Sequence, residues 1–141
     1  MEESLRVVLD TNVLLASRRS RHPESPNVEI FSRWEAGEFT FLYSHDIAIE
    51  YAEKLLEHGV AKEDIRQFLS LLRFLGEWVE IEFFHLRYYP EDSDDVAFLL
   101  TALNGDATHL VTYDEHLKKL VGLYLLAICE PLQFLKDCRS L

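Results

Sequence analysis

The sequence predicts an α/β fold, a three-layer α/β/α sandwich with a mainly parallel central sheet. Short apolar runs rich in Val, Ile, Leu and aromatic residues alternate with stretches of helical periodicity. This is the pattern expected of strands buried on both faces and of the helices that cover them. The first and fourth runs each stop at an aspartate, Asp10 and Asp114, and open α/β sheets place their ligands outside the carboxyl ends of their strands. The 141 residues are 48% hydrophobic, which suits one core of ordinary domain size, so residues 1–141 are read as a single domain.

In chain order, Leu5 to Leu9 is the first strand. Arg18, Arg19, Arg21 and His22 then form a basic stretch, with Arg33 shortly after; it reads equally as a solvated loop or as one wall of an acidic pocket. Pro26-Asn27 opens a helix on which Val28, Phe31 and Trp34 share a face. Phe39 to Tyr43 is the second strand, and Ser44 is placed to cap a helix carrying Ile47, Tyr51 and Leu55. After Gly59 a second helix carries Ile65, Phe68, Leu69, Leu72 and Leu75, a stripe wide enough for the core or for a partner subunit in a homodimer. Val79 to Phe83 is the third strand, and Ser93 is expected to cap a helix running from Asp94 to Leu103. His109 to Thr112 is the fourth strand, followed by a short helix after Asp114. Leu123 to Ile128 completes the sheet, and Pro131 suits the first position of a closing helix.

Composition narrows the function. With 14 Lys plus Arg against 25 Asp plus Glu, the formal net charge is −11 at pH 7. Such a surface repels a phosphate polymer unless bound cations reverse the sign locally. No apolar run is long enough to span a bilayer, and the acidic start Met1-Glu2-Glu3-Ser4 is unlike a secretory signal, so the expected location is cytoplasmic, with no membrane partner. Cys129 and Cys138 match no metal-ligand spacing and read as idle thiols. No Ser-His-Asp set, P-loop or dinucleotide glycine motif competes for the chemistry. The 5 glycines read as helix ends and turns, and His45, His58, His85 and His109 as surface or core residues.

Four acids stand out by position. Asp10 ends the first strand, Glu50 lies within the helix after the second, Asp95 lies in the first turn of the fourth helix, and Asp114 follows the fourth strand. Taken singly, each is as well explained as a turn former, a helix cap or a surface residue. Together at one sheet edge they would repel, which calls for raised pKa values or a cation. Oxygen donors without a His or Cys cluster favour Mg2+ or Mn2+ over zinc.

The segments Val8-Leu9-Asp10-Thr11-Asn12-Val13-Leu14, Ile49-Glu50-Tyr51, Asp92-Ser93-Asp94-Asp95-Val96-Ala97-Phe98-Leu99 and Leu110-Val111-Thr112-Tyr113-Asp114-Glu115-His116-Leu117 resemble, in order, the four motifs of PIN-domain nucleases. The resemblance covers nearly the whole chain, since Pro131-Leu132-Gln133-Phe134-Leu135 is similar to the family's closing segment. Within the family, the similarity is to bacterial PIN proteins classed as toxins of toxin-antitoxin pairs.

The resemblance implies that Asp10, Glu50, Asp95 and Asp114 are the catalytic, metal-binding acids. Asn12 and Thr112 would orient them or a bound water, with Asp94 as a further acid beside the site. It implies a Mg2+- or Mn2+-dependent endoribonuclease that cuts single-stranded RNA to leave 5′-phosphate and 3′-hydroxyl ends, with a small antitoxin protein in the groove. Ions held by these carboxylates would lower the pKa of a water and stabilise charge on the leaving oxygen. Arg18, Arg19, Arg21 and His116 are the expected RNA contacts. The chain departs from many relatives at Tyr113, where Gly is common, and at His116, where an acid is common; Tyr113 is expected to narrow the pocket and His116 to meet phosphate. Two other readings stand beside this one. A PIN scaffold could bind RNA or a protein without cutting, and an acid-pocket phosphatase is disfavoured because Asn12 stands where its second Asp belongs.

Overall fold

Val7, Val8 and Leu9 are consecutive, and all are fully buried. Successive strand residues point to opposite faces, so both sides of their strand must be covered. The computed structural model describes residues 4–20 and 22–140; Arg21, one of the expected RNA contacts, lies outside them. The strands are β1 (Arg6–Leu9), β2 (Thr40–Tyr43), β3 (Glu77–Trp78), β4 (His109–Val111) and β5 (Ala127–Cys129). They form one sheet in the order β3-β2-β1-β4-β5, and every pairing is parallel.

The helices are α1 (Thr11–Arg19), α2 (Pro26–Glu35), α3 (His45–Glu57), α4 (Lys62–Leu75), α5 (Val96–Asn104), α6 (Glu115–Lys118) and α7 (Pro131–Arg139). Register puts Val7 beside both Phe41 and His109. On that face Trp34 of α2 packs edge-on to Phe41 at 4.9 Å, and Phe134 of α7 packs on His109 at 5.2 Å. The opposite face takes α5. Its end at Gly105 comes so close that a Cβ there would sit 3.0 Å from Leu42 Cδ1. The apolar residues of both faces form one continuous core. Among the described residues no helix is long and apolar enough to cross a membrane.

The strand order decides where a ligand can sit. The chain builds outward from β1 to β2 and β3, then crosses back to place β4 on the other side of β1. This reversal opens a crevice at the carboxyl ends of β1 and β4, which are the ends that carry Asp10 and Asp114.

Several elements differ from expectation. Thr11 to Arg19 is helical, so two helices join β1 to β2, and Arg18 and Arg19 occupy a last helical turn instead of a loop. The cause is Asp10, whose carboxylate accepts from Thr11 N at 2.8 Å and caps the helix, together with the buried side chains of Val13 and Leu14. The third strand is shifted to Glu77–Trp78. β2 ends at Tyr43, so only the residues just after α4 find a ladder partner, and residues 79–92 continue as a loop. β5 is confined to Ala127–Cys129, and Leu123 and Leu125 ahead of it are exposed. Ser93 does not cap the helix: a 3-10 turn, Ser93–Asp95, precedes it, and Asp92 caps that turn, accepting from Asp94 N at 2.9 Å, while α5 itself starts after Asp95 with no side-chain cap. Ser44 precedes α3, but its hydroxyl pairs with that of Thr101. On α4, Ile65, Phe68 and Leu72 are buried, whereas Leu75 is exposed. Cys129 and Cys138 are both free thiols.

Candidate metal centre

Asp10 leaves β1 at the crevice and is held from three directions. Its N–H donates to Val111 O of β4 at 2.9 Å, Oδ1 accepts from Thr11 N, and Oδ2 accepts from the Thr112 hydroxyl at 2.7 Å. Thr112 is fully buried, and its Oγ1 also accepts from Asp114 N at 2.9 Å. One hydroxyl therefore fixes the spacing of the two acids that end β1 and β4. Asp114 in turn caps α6, accepting from His116 N at 2.8 Å. Glu50 enters from the middle of α3 and accepts from the Thr11 hydroxyl.

Asp95 comes from the 3-10 turn at the head of α5 and is only 5% exposed. Its Oδ2 is buried and meets no donor among the described residues. Asp10, Glu50, Asp94, Asp95 and Asp114 line a single cavity of about 200 Å³, whose lining also includes Asn12, Lys54 and His58. Carboxylate oxygens of Asp92, Asp95 and Asp114 all lie within 4.8 Å of one another.

Gathering so many acids shifts their titration. Burial pushes Asp10 up to about 6, with the charges of Asp114 and Glu50 adding to it and the bonds from Thr112 and Thr11 opposing. Burial, then the charges of Asp114 and Asp10, push Asp95 up to about 8. Glu50 is raised as well, chiefly by burial. Behind the site Tyr51 is completely buried, its hydroxyl donates to Leu9 O, and burial raises its pKa well above the ordinary value. A buried carboxylate oxygen without a donor, inside a set of oxygen ligands that raise one another's pKa, is matched by a hard divalent cation. Asp92, Asp95 and Asp114 are close enough to share one such ion.

Other expected site residues lie elsewhere. Arg18 sits with its guanidinium 5.7 Å from the centre of the Phe68 ring and lines a separate cavity between α1, α2 and α4. Arg19 is exposed. His116 pairs through Nδ1 with Glu91 at 3.1 Å. The Tyr113 hydroxyl donates to Asn27 at 3.1 Å, and Tyr113 is not part of the pocket wall. Sequence reasoning missed Asp92, Thr11, Lys54 and His58. Asp92 stands three residues before Asp95, the spacing that one 3-10 turn brings to one side, and that spacing was there to be found. Thr11, Lys54 and His58 carry no such signal.

The family model of the PIN domain matches residues 6–116. No curated protein matches the chain.

Proposed function

The chain belongs to the PIN-domain family, and from that premise we propose that it is a divalent-metal-dependent endoribonuclease acting on single-stranded RNA, the toxin of a toxin-antitoxin pair. The observation that carries the nuclease reading is a cavity lined by five carboxylates, one of which, Asp95, has a buried oxygen that meets no donor among the described residues. Carboxylates crowded in this way either take up protons or are offset by a cation. The RNA and toxin parts of the reading rest on the motif resemblance.

Asp10, Glu50, Asp95 and Asp114, with Asp92 beside them, would hold Mg2+ or Mn2+. When bound, such an ion supplies positive charge that lowers the pKa of water and offsets charge building up on the scissile phosphate. The protein's own contribution is orientation. Thr112 holds Asp10 and the Asp114 backbone to one geometry, and Thr11 fixes Glu50, so the acids need not reorganise as the reaction proceeds. Lys54 and His58, which also line the cavity, would meet phosphate oxygens, Lys54 by leaving its 3.4 Å pairing with Glu57. His58 Nδ1 donates to Lys54 O at 2.8 Å, which leaves Nε2 as its outward polar atom.

The test is incubation of the purified protein with a mixed RNA pool in Mn2+, Mg2+ or EDTA. The expected result is cleavage in the first two only, with 5′-phosphate and 3′-hydroxyl ends. A protein that binds RNA in all three and cuts in none would be a non-catalytic scaffold.

A further inference from the structure

The loop that delivers Asp92 to the site carries an unusual set of side chains. Phe83, Phe84, Tyr88 and Tyr89 are 46%, 65%, 37% and 54% exposed. The loop itself is pinned. Leu86 and Pro90 are buried anchors, and the Tyr124 hydroxyl bonds both Tyr88 N and Tyr88 O, at 2.8 and 2.7 Å. Asn104, at the carboxyl end of α5, accepts from Glu82 N and Phe83 N at 2.8 and 3.1 Å and donates to Phe83 O at 3.0 Å.

These anchors set the loop's direction. Its start is stapled to the far end of α5, a helix about 13 Å long, and its end, Asp92, caps the turn at the near end of α5, within the acid cluster. Residues 83–91 therefore run back along α5 toward the pocket, and Tyr89 lies within about 11 Å of Asp92 by chain length alone. The Arg87 guanidinium lies 5.7 Å from the Tyr88 ring centre, and Tyr124 packs edge-on with Tyr88 at 5.9 Å, so a cation sits beside the aromatic residues of the loop.

We infer that Phe83, Phe84, Tyr88 and Tyr89, with Arg87, form a base-stacking track that feeds a single RNA strand into the acid pocket. The inference rests on the nuclease reading above. Exposed aromatic faces interleaved with a cation take unpaired bases, because every base offers a π-face, whereas a duplex hides those faces within its own stack. The net charge gives the second reason. At −11 the protein gains little from phosphate attraction, so stacking must supply most of the affinity and binding must depend only weakly on salt. Rings fixed by a stapled backbone lose little freedom when a base lands on them.

The experiment measures anisotropy of a labelled oligouridylate with the full-length protein in EDTA. The double variant Phe84→Ala/Tyr89→Ala is expected to bind about tenfold more weakly or worse. Phe84→Tyr should bind as wild type and Phe84→Leu should not, which separates stacking from simple apolar contact. A strand of the same length lacking its bases should bind wild type as weakly as the oligouridylate binds the double variant, and the wild-type salt slope should be shallow. Equal affinity for wild type and double variant overturns the inference, as does an affinity that Leu preserves. It also falls if the double variant keeps its strand affinity and instead alters self-association, since the row would then dock protein. Cleavage in Mn2+ distinguishes the two levels. A wild type that cuts, with Phe84→Ala/Tyr89→Ala unchanged in KM, sinks the track alone; a wild type that neither binds nor cuts sinks the nuclease reading with it.

Discussion

At the amino ends of β1 and β4, Arg6 donates to Gly105 O from Nε at 3.1 Å and from Nη2 at 2.9 Å, and pairs with Glu77. The Thr108 hydroxyl accepts from Arg6 N at 3.0 Å and donates to Arg6 O, and His109 reaches Asp137 at 2.9 Å. At the carboxyl ends of the same two strands, Asp10 and Asp114 share a cavity with Asp95, whose buried oxygen finds no donor among the described residues. One edge of the sheet closes its hydrogen bonds across strands and holds the fold. The other concentrates like charge that the polypeptide alone does not neutralise. Local electrostatic stress of this kind persists only where the surrounding structure holds it, and it marks the edge that acts.

The largest expected effect breaks the stressed edge. Asp10→Asn keeps the cap on α1, since Asn caps about as well as Asp, and keeps a similar shape between Thr11 and Thr112. It removes one ligand charge, and loss of a single electrostatic contact of this kind costs ~100-fold or more in rate. Metal-dependent RNA cleavage at matched folded concentration checks this, and equal activity in the two proteins would end the metal-site mechanism.

The same stress has a pH signature in metal-free protein. Asp10 and Asp95 have folded-state pKa values raised to about 6 and about 8. A raised carboxyl adds stability below its unfolded value, near pH 4, and that stability is lost as pH rises through the folded values. For Asp10 alone the span is about two units, on the order of 3 kcal/mol, or ~10 °C in melting temperature. Glu29 and Glu91, lowered chiefly by their bonds to Arg33 and Lys119, act in the opposite sense, so the informative quantity is the difference between wild type and Asp10→Asn. In EDTA the variant should melt higher than wild type at pH 8 and about equally at pH 4, and Mn2+ should erase the difference by stabilising wild type alone. A wild type more stable than the variant at pH 8 in EDTA would mean that burial and the neighbouring acids do not make the Asp10 charge costly.

Breaking the quiet edge should do the reverse. Arg6→Ala loses the bonds to Gly105 and a partly exposed ion pair, for about 1–2 kcal/mol of stability and roughly 3–6 °C in melting temperature. Cleavage per folded molecule should not change. A rate loss as large as that of Asp10→Asn would show that the two edges are coupled through β1.

What was legible in the sequence follows the same division. Asp10, Asp95 and Asp114 stand at element ends, and their meeting follows from parallel strands with one switch point, so local pattern was enough to gather them. β1, β2 and β4 read correctly because buried parallel strands are unbroken apolar runs. The third strand misled because Val79, Ile81 and Phe83 alternate as a strand should, while pairing depended on how far β2 extends. α1 was hidden because Val13-Leu14-Leu15 reads as more apolar run and Ser17-Arg18-Arg19 as loop, whereas its helicity comes from the Asp10 cap and from burial. Thr11 gained its place only through Glu50, distant in sequence, and Asp92 through a 3-10 turn that apolar periodicity does not show, although its three-residue spacing from Asp95 is visible in the sequence.

The smallest expected effect concerns Arg18, at the end of α1 that points away from the acids. Its guanidinium lies over Phe68, in a cavity that shares no lining residue with the acid pocket. An exposed cation over a phenyl ring contributes about 0.5–1 kcal/mol, so Arg18→Ala should lower the melting temperature by only a few degrees. If strand affinity comes from the aromatic loop, the same variant should leave RNA binding and its salt dependence unchanged, and adding Arg19→Ala should change neither. The measurement is strand affinity across a salt series for wild type and the double variant. A weaker affinity with a flatter slope would place the end of α1 on the path of the RNA backbone, and charge rather than stacking would then bring the strand to the stressed edge.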